Sequence, residues 1–204
     1  MGLSGEPQRI GVFGGAFDPP HLGHVALAQA AVAQLDLSQL LVVPTGQPLH
    51  KRRALSAAHH RLAMCALAFS AVPQVRVDAR EIERSGPSFT VDTLEALQRE
   101  HPGAQLCLLI GQDQAQTLQN WHRASDLARL AIIYVAARPE SVGSIAGIDP
   151  IQTRKFALQS LHMPAMVHSA TDIRHRVAQQ QGIETLVSEP VARYIAHHHL
   201  YQTP

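Results

Sequence analysis

From Arg9 onward, short apolar runs alternate with helical patterns almost to the end of the chain, and that alternation leaves very few architectures open. Arg9 to Phe13 reads as a strand, Leu22 to Leu35 as a helix, and Gln39 to Val43 as a strand closed by Pro44. Ser56 is a plausible N-cap for a helix reaching Ser70, after which Pro73 resets the chain. Val75 to Asp78 is a short strand, and Thr90 to Glu100 is an amphipathic helix stopped by Pro102-Gly103. Leu106 to Ile110 and Ala131 to Ala136 are continuous apolar runs, which suit strands buried on both faces. Between them Ala115 to Leu130 is helical with a break near Asn120. Arg138 to Pro150 is a loop punctuated by glycine and proline. A small helical stretch follows, then Ala165 to His168 as a last short strand, and helices at Thr171 to Gln181 and Pro190 to His198.

Strands that alternate with helices are joined by right-handed crossovers, which forces a mostly parallel sheet with helices on both faces. The expectation is therefore an α/β, doubly wound, Rossmann-like domain with additional C-terminal helices, in which ligands gather at the carboxyl ends of the strands. The 204 residues suit one domain, and neither a Gly-rich linker nor an internal repeat interrupts them.

Composition narrows the partners. Hydrophobic residues make up 46% and charged residues 16%, enough to bury a sizeable core. Seventeen Lys and Arg against sixteen Asp and Glu leave a net charge of +1, without the broad basic field that nucleic-acid binding uses. No basic-then-apolar leader precedes Ile10 and no apolar run is long enough to span a bilayer, so a soluble cytoplasmic protein is expected. Cys65 and Cys107 lie on separate apolar stretches and read as two buried thiols. With 13 histidines, some will match a catalytic spacing by chance, so position has to decide.

Position favours one segment, Gly14-Gly15-Ala16-Phe17-Asp18-Pro19-Pro20-His21-Leu22-Gly23-His24, which follows the first strand directly. The glycines let the backbone approach a ligand, and the first turn of the next helix offers N–H groups to an anion. It is neither a Walker loop nor a dinucleotide fingerprint, since it lacks Gly-Lys-Ser/Thr and the Gly-x-Gly-x-x-Gly spacing. What remains is His21 and His24, an i, i+3 pair on one helix face that can grip phosphate or metal. A surface turn is the plain alternative for a lone pair of this kind. Beyond Asp18 no close cluster of ligands completes a closed zinc site, so phosphate ranks above metal.

This segment resembles the G-G-T-F-D-P-x-H-x-G-H signature of the nucleotidyltransferase superfamily of adenylyl- and cytidylyltransferases, with Ala16 in place of threonine. Near the other end of the chain, Ser169-Ala170-Thr171-Asp172-Ile173-Arg174 resembles the superfamily's I-S-S-T-x-x-R motif, with His168 and Ala170 departing from it. Alone, Ser169 and Asp172 would read as a capping box variant. Three further segments resemble the bacterial nicotinate-nucleotide adenylyltransferase family. They are Pro48-Leu49-His50-Lys51, then Ser88 to Leu94 with Phe89 in place of tyrosine, and then Ile110-Gly111-Gln112-Asp113 followed by Leu118 and Trp121. Their plain readings are a solvated basic loop, a helix N-cap at Thr90 and a core tryptophan.

The resemblance implies that the 5′-phosphate of nicotinate mononucleotide attacks the α-phosphorus of ATP. His21 and His24 would hold ATP phosphates, with His24 at the α-phosphoryl group, and Lys51 and Arg174 would neutralise the outer phosphates. Gly14, Gly15, Phe17, Ser169 and Thr171 would complete the ATP site, and His50, Lys51, Thr90, Asp113 and Trp121 the mononucleotide site, with the ring of Trp121 stacking. Mg²⁺ would ride on the phosphates with no protein ligands. The partners expected are ATP and nicotinate mononucleotide, with neither nucleic acid nor membrane. A sister transferase acting on nicotinamide mononucleotide or phosphopantetheine, and a non-catalytic nucleotide-sensing module, are the alternatives. His197, His198 and His199 point about 100° apart and read as structural.

Overall fold

A computed structural model describes residues 7–46, 55–137, 145, 147–163 and 169–202. Its strands are β1 (Arg9–Gly15), β2 (Gln39–Pro44), β3 (Val75–Val77), β4 (Gln105–Gly111), β5 (Ala131–Ala137) and β6 (Gln159–His162). All are parallel and form one sheet in the order β3-β2-β1-β4-β5-β6. The chain works outward from β1 to one edge, then returns to lay β4 on the other side of β1. Between β1 and β4 the winding reverses, and the crevice outside the carboxyl ends of two such strands is where doubly wound sheets bind ligands.

The helices are α1 (Leu22–Gln34), α2 (Ala58–Phe69), α3 (Arg80–Glu83), α4 (Thr90–Glu100), α5 (Gln112–Thr117), α6 (Ala124–Leu130), α7 (Pro150–Lys155), α8 (Ala170–Ala178) and α9 (Glu189–His197). Because successive strand residues face opposite ways, the central strands feed two cores. Phe13 of β1 and Leu109 of β4 join Ala28 of α1, Met64 of α2, Ile173 of α8 and Ile195 of α9 on one face. Val12 and Leu108 join Val91 and Leu94 of α4 and Leu127 of α6 on the other. Leu108, Leu109 and Ile110 are all buried, each contributing about 1.5–3 kcal/mol relative to an exposed side chain.

The structure has the expected α/β, doubly wound parallel sheet, with several local corrections. The last described strand is β6 at Gln159–His162, a segment with no apolar run, while the strand expected at 165–168 falls outside the described residues. The stretch from Ala115 to Leu130 splits into α5, a 3-10 turn at Leu118–Asn120 and α6, with Arg123 in a left-handed conformation at the start of α6. Helix α2 starts after Ala57 with no side-chain cap, so Ser56 is not its N-cap. Thr90 is the first residue of α4, and Phe89 occupies the cap position. Both cysteines are free and buried, and burial pushes both thiols above their ordinary range. Among the described residues no helix is long and apolar enough to cross a membrane.

Candidate active site

A helix that links two parallel strands runs back against them, so its N-terminus lies at the carboxyl edge of the sheet. That places His21 before α1, Thr90 at the start of α4 and Asp113 in the first turn of α5 along one edge. At the end of β1, a Cβ on Gly14 would meet no described heavy atom within 4 Å, whereas one on Gly15 would come within 3.0 Å of the Phe17 ring. Phe17 adopts a left-handed backbone with φ 46° and is only 2% exposed. A bulky residue held there is strained, a condition retained where surrounding packing over-determines it. Its ring meets Phe13 edge-on at 5.3 Å, Phe69 at 6.0 Å and His24 at 5.0 Å. The Phe17 side chain therefore packs against the His24 ring.

His21 and His24 stack with ring centroids 3.6 Å apart and 26° between planes. The backbone N–H of His21 donates to Nδ1 of His24 at 3.1 Å. A neutral imidazole that accepts at Nδ1 carries its proton on Nε2, so this contact makes Nε2 a hydrogen-bond donor. In the first turn of α1, Leu22 N–H donates to the Leu186 carbonyl at 2.9 Å, so this amide is already engaged.

Arg174 arrives from the far end of the chain. Ser169 caps α8 by accepting from the Thr171 N–H at 3.2 Å, and Thr171 Oγ1 accepts from Arg174 Nη2 at 3.0 Å. Asp172 pairs with Arg176 at 3.0 Å instead of reaching back to the cap. Arg174 Nη1 donates to the backbone carbonyl of Asp18 at 2.8 Å, on the same loop that leads into His21. Two motifs separated by most of the sequence therefore meet at one crevice.

Beneath them lies a polar network that sequence reasoning missed. Asp18, 2% exposed, accepts from Tyr201 Oη at 2.7 Å and from the Ser56 N–H at 3.2 Å through its two carboxylate oxygens. Arg61, also 2% exposed, donates through Nη1 to the carbonyls of Ala16 at 3.0 Å and Thr45 at 2.7 Å, and through Nε to that of Ser56 at 3.1 Å. Desolvation lowers its pKa from the ordinary arginine value, partly opposed by the Asp18 carboxylate. A signal was present: Arg61 stands three, four and seven residues before the buried Met64, Cys65 and Ala68, on the core face of α2.

The segments expected to hold the second substrate also approach one another. The Phe89 ring, next to Thr90, stacks on His122, next to Trp121, at 4.2 Å and 28°. Trp121 is half-buried and packs against the α4 and α6 side of the core, and Asp113 is exposed. His50 and Lys51 lie outside the described residues. His198 packs against Tyr194 at 4.2 Å and His60 at 5.0 Å, while His60 Nδ1 is 3.0 Å from Tyr194 Oη, so this histidine helps dock α9 on α2. Among the described residues no group of three or more His, Cys, Asp or Glu side chains is arranged to hold a metal ion.

Residues 12–176 match the family model described as cytidylyltransferase-like. A "probable nicotinate-nucleotide adenylyltransferase" of Albidiferax ferrireducens is 56% identical over 96% of this chain and 99% of its own. A protein of the same name from Bacillus pumilus is 36% identical over 96% and 100%. Among solved structures, the nicotinic acid mononucleotide adenylyltransferase of Plasmodium falciparum complexed with NaAD superposes with a TM-score of 0.77, covering 95% of this chain and 97% of that one. At 19% identity that likeness speaks for the fold.

Proposed function

The chain belongs to the cytidylyltransferase-like superfamily and, within it, to the nicotinate-nucleotide adenylyltransferases, and from that premise we propose how its residues carry out adenylyl transfer. The 5′-phosphate of nicotinate mononucleotide attacks the α-phosphorus of ATP. The bond to the bridging oxygen breaks, pyrophosphate leaves, and nicotinate adenine dinucleotide remains. The nucleophile is already anionic at neutral pH, so the protein's work is alignment and charge stabilisation, and no protein nucleophile is needed.

His24 donates from Nε2 to the α-phosphoryl group as charge builds there, and His21 holds a neighbouring phosphate oxygen. Arg174 turns its planar fork to the outer phosphates, assisted by Lys51. Ser169 and Thr171 border that side, and Gly14 and Gly15 let the triphosphate lie close to the end of β1. Thr90, Asp113, Trp121 and His50 receive the mononucleotide. Mg²⁺ carried by ATP would neutralise phosphate charge. Both Asp18 oxygens already accept hydrogen bonds, which fits an ion held by phosphates better than one held by a protein cage. Such a reaction belongs in the cytoplasm, where ATP is plentiful.

The observation that carries this reading is the Arg174 contact to the Asp18 carbonyl, which brings a guanidinium from α8 to the loop of the two histidines. Pyrophosphate release from ATP tests it. We expect release with nicotinate mononucleotide, slower release with nicotinamide mononucleotide, and none with phosphopantetheine. ATP binding without release in any mixture would contradict it.

A further inference from the structure

Tyr201 stands near the end of the chain and outside every motif of the sequence, yet its hydroxyl reaches the loop before His21. Its Oη donates to Asp18 Oδ1 at 2.7 Å across 183 residues of sequence. The tail is shaped for this contact. After α9 both His199, with φ 51°, and Tyr201, with φ 63°, take left-handed backbone conformations that L residues seldom adopt. The Leu200 N–H closes the turn on the Ile195 carbonyl at 3.1 Å, and Tyr201 Oη lies 4.0 Å from Met64 Sδ. The phenol's pKa is raised, first by burial and then by the adjacent Asp18 carboxylate, so it remains a proton donor throughout the physiological range.

Asp18 joins this tail to the catalytic groups. Its side chain is held by Tyr201 and by the Ser56 N–H, while its carbonyl accepts from Arg174 Nη1 at 2.8 Å. The carboxylate's orientation and the carbonyl's position are thus fixed together, three residues before His21. We propose that Tyr201 is a positioning residue for the ATP side of the reaction: its hydroxyl holds the Asp18 carboxylate, and through it the carbonyl on which Arg174 rests. The inference builds on the adenylyl-transfer reading of the site.

The experiment compares the wild-type chain with Tyr201→Phe, which keeps the ring packed and removes only the donor. Losing one hydrogen bond to a charged group is expected to cost about tenfold in a binding constant. We expect KM for ATP to rise about tenfold and KM for nicotinate mononucleotide to stay within about twofold. Calorimetric Kd for α,β-methylene-ATP should weaken by the same factor as KM for ATP. A purely structural role would lower kcat through the active fraction and leave both constants for ATP unchanged. That outcome, or wild-type values throughout, overturns the inference. If wild type releases no pyrophosphate, the adenylyl-transfer reading fails, and the analogue's Kd still decides the role of Tyr201. In a second variant, Asp18→Ala, which removes the acceptor of the Tyr201 hydroxyl, the added Tyr201→Phe change should alter that Kd by less than about twofold, because the two act in series. A full tenfold further loss would also overturn it.

Discussion

Replacing His24 with alanine is expected to lower kcat by roughly two to three decades, with the melting temperature nearly unchanged. The ring is held before substrate arrives: it stacks on His21 at 3.6 Å, rests on the edge of Phe17, and accepts the His21 N–H at Nδ1. A donor aimed in advance at developing charge costs little reorganisation during reaction, and deleting one such donor typically costs about 2.7–4 kcal/mol of transition-state stabilisation. Fold stability should change little, because the ring is only partly buried and the Phe17 cluster beneath it persists. Single-turnover adenylyl transfer at saturating ATP is the measurement. A rate within about threefold of wild type would show that His24 does not stabilise the α-phosphoryl group.

Arg61→Ala is the change expected to damage the fold most. Three carbonyls, those of Ala16, Thr45 and Ser56, lose their donor, and the Asp18 carboxylate loses its nearby buried cation. Removing one partner from a buried charged network costs about 3–5 kcal/mol, because the remaining groups are left desolvated. For a chain of this size each kcal/mol corresponds to about 2–4 °C, so calorimetry should find the melting temperature lower by about 6–20 °C. Lysine should not restore it, since a point charge cannot span three carbonyls in the way the guanidinium fork does. A fall of less than about 2 °C would mean that the network contributes nothing.

These two residues differ in how far the sequence revealed them. His24 follows an apolar strand and a glycine pair, so its place in the first turn of a helix at the carboxyl edge of the sheet was legible. The central strands were legible for a similar reason: β1, β4 and β5 are buried on both faces and their runs are continuously apolar. Strand β6 was not, because at the sheet edge only Leu161 is buried and the apolar signal disappears. Helix α4 was bounded correctly because Pro102-Gly103 stops it and a strongly amphipathic face precedes them. Arg61 sat in plain view on an apolar helix face, but its partners are backbone carbonyls, which leave no trace in side-chain identity. The use of the Leu22 amide was hidden for the same reason, since its acceptor is a carbonyl at Leu186. Tyr201 is tied to Asp18 only by the folded chain, and no local pattern announces such a pairing.

The convergence of the His21–His24 pair and Arg174 on one triphosphate underlies the whole mechanism, and a crystal structure with α,β-methylene-ATP reads it directly. His24 Nε2 and the Arg174 guanidinium should each lie within about 3.2 Å of phosphate oxygens of the same bound molecule. A triphosphate held by the histidines while Arg174 remains on the Asp18 carbonyl, with no phosphate contact, would contradict it.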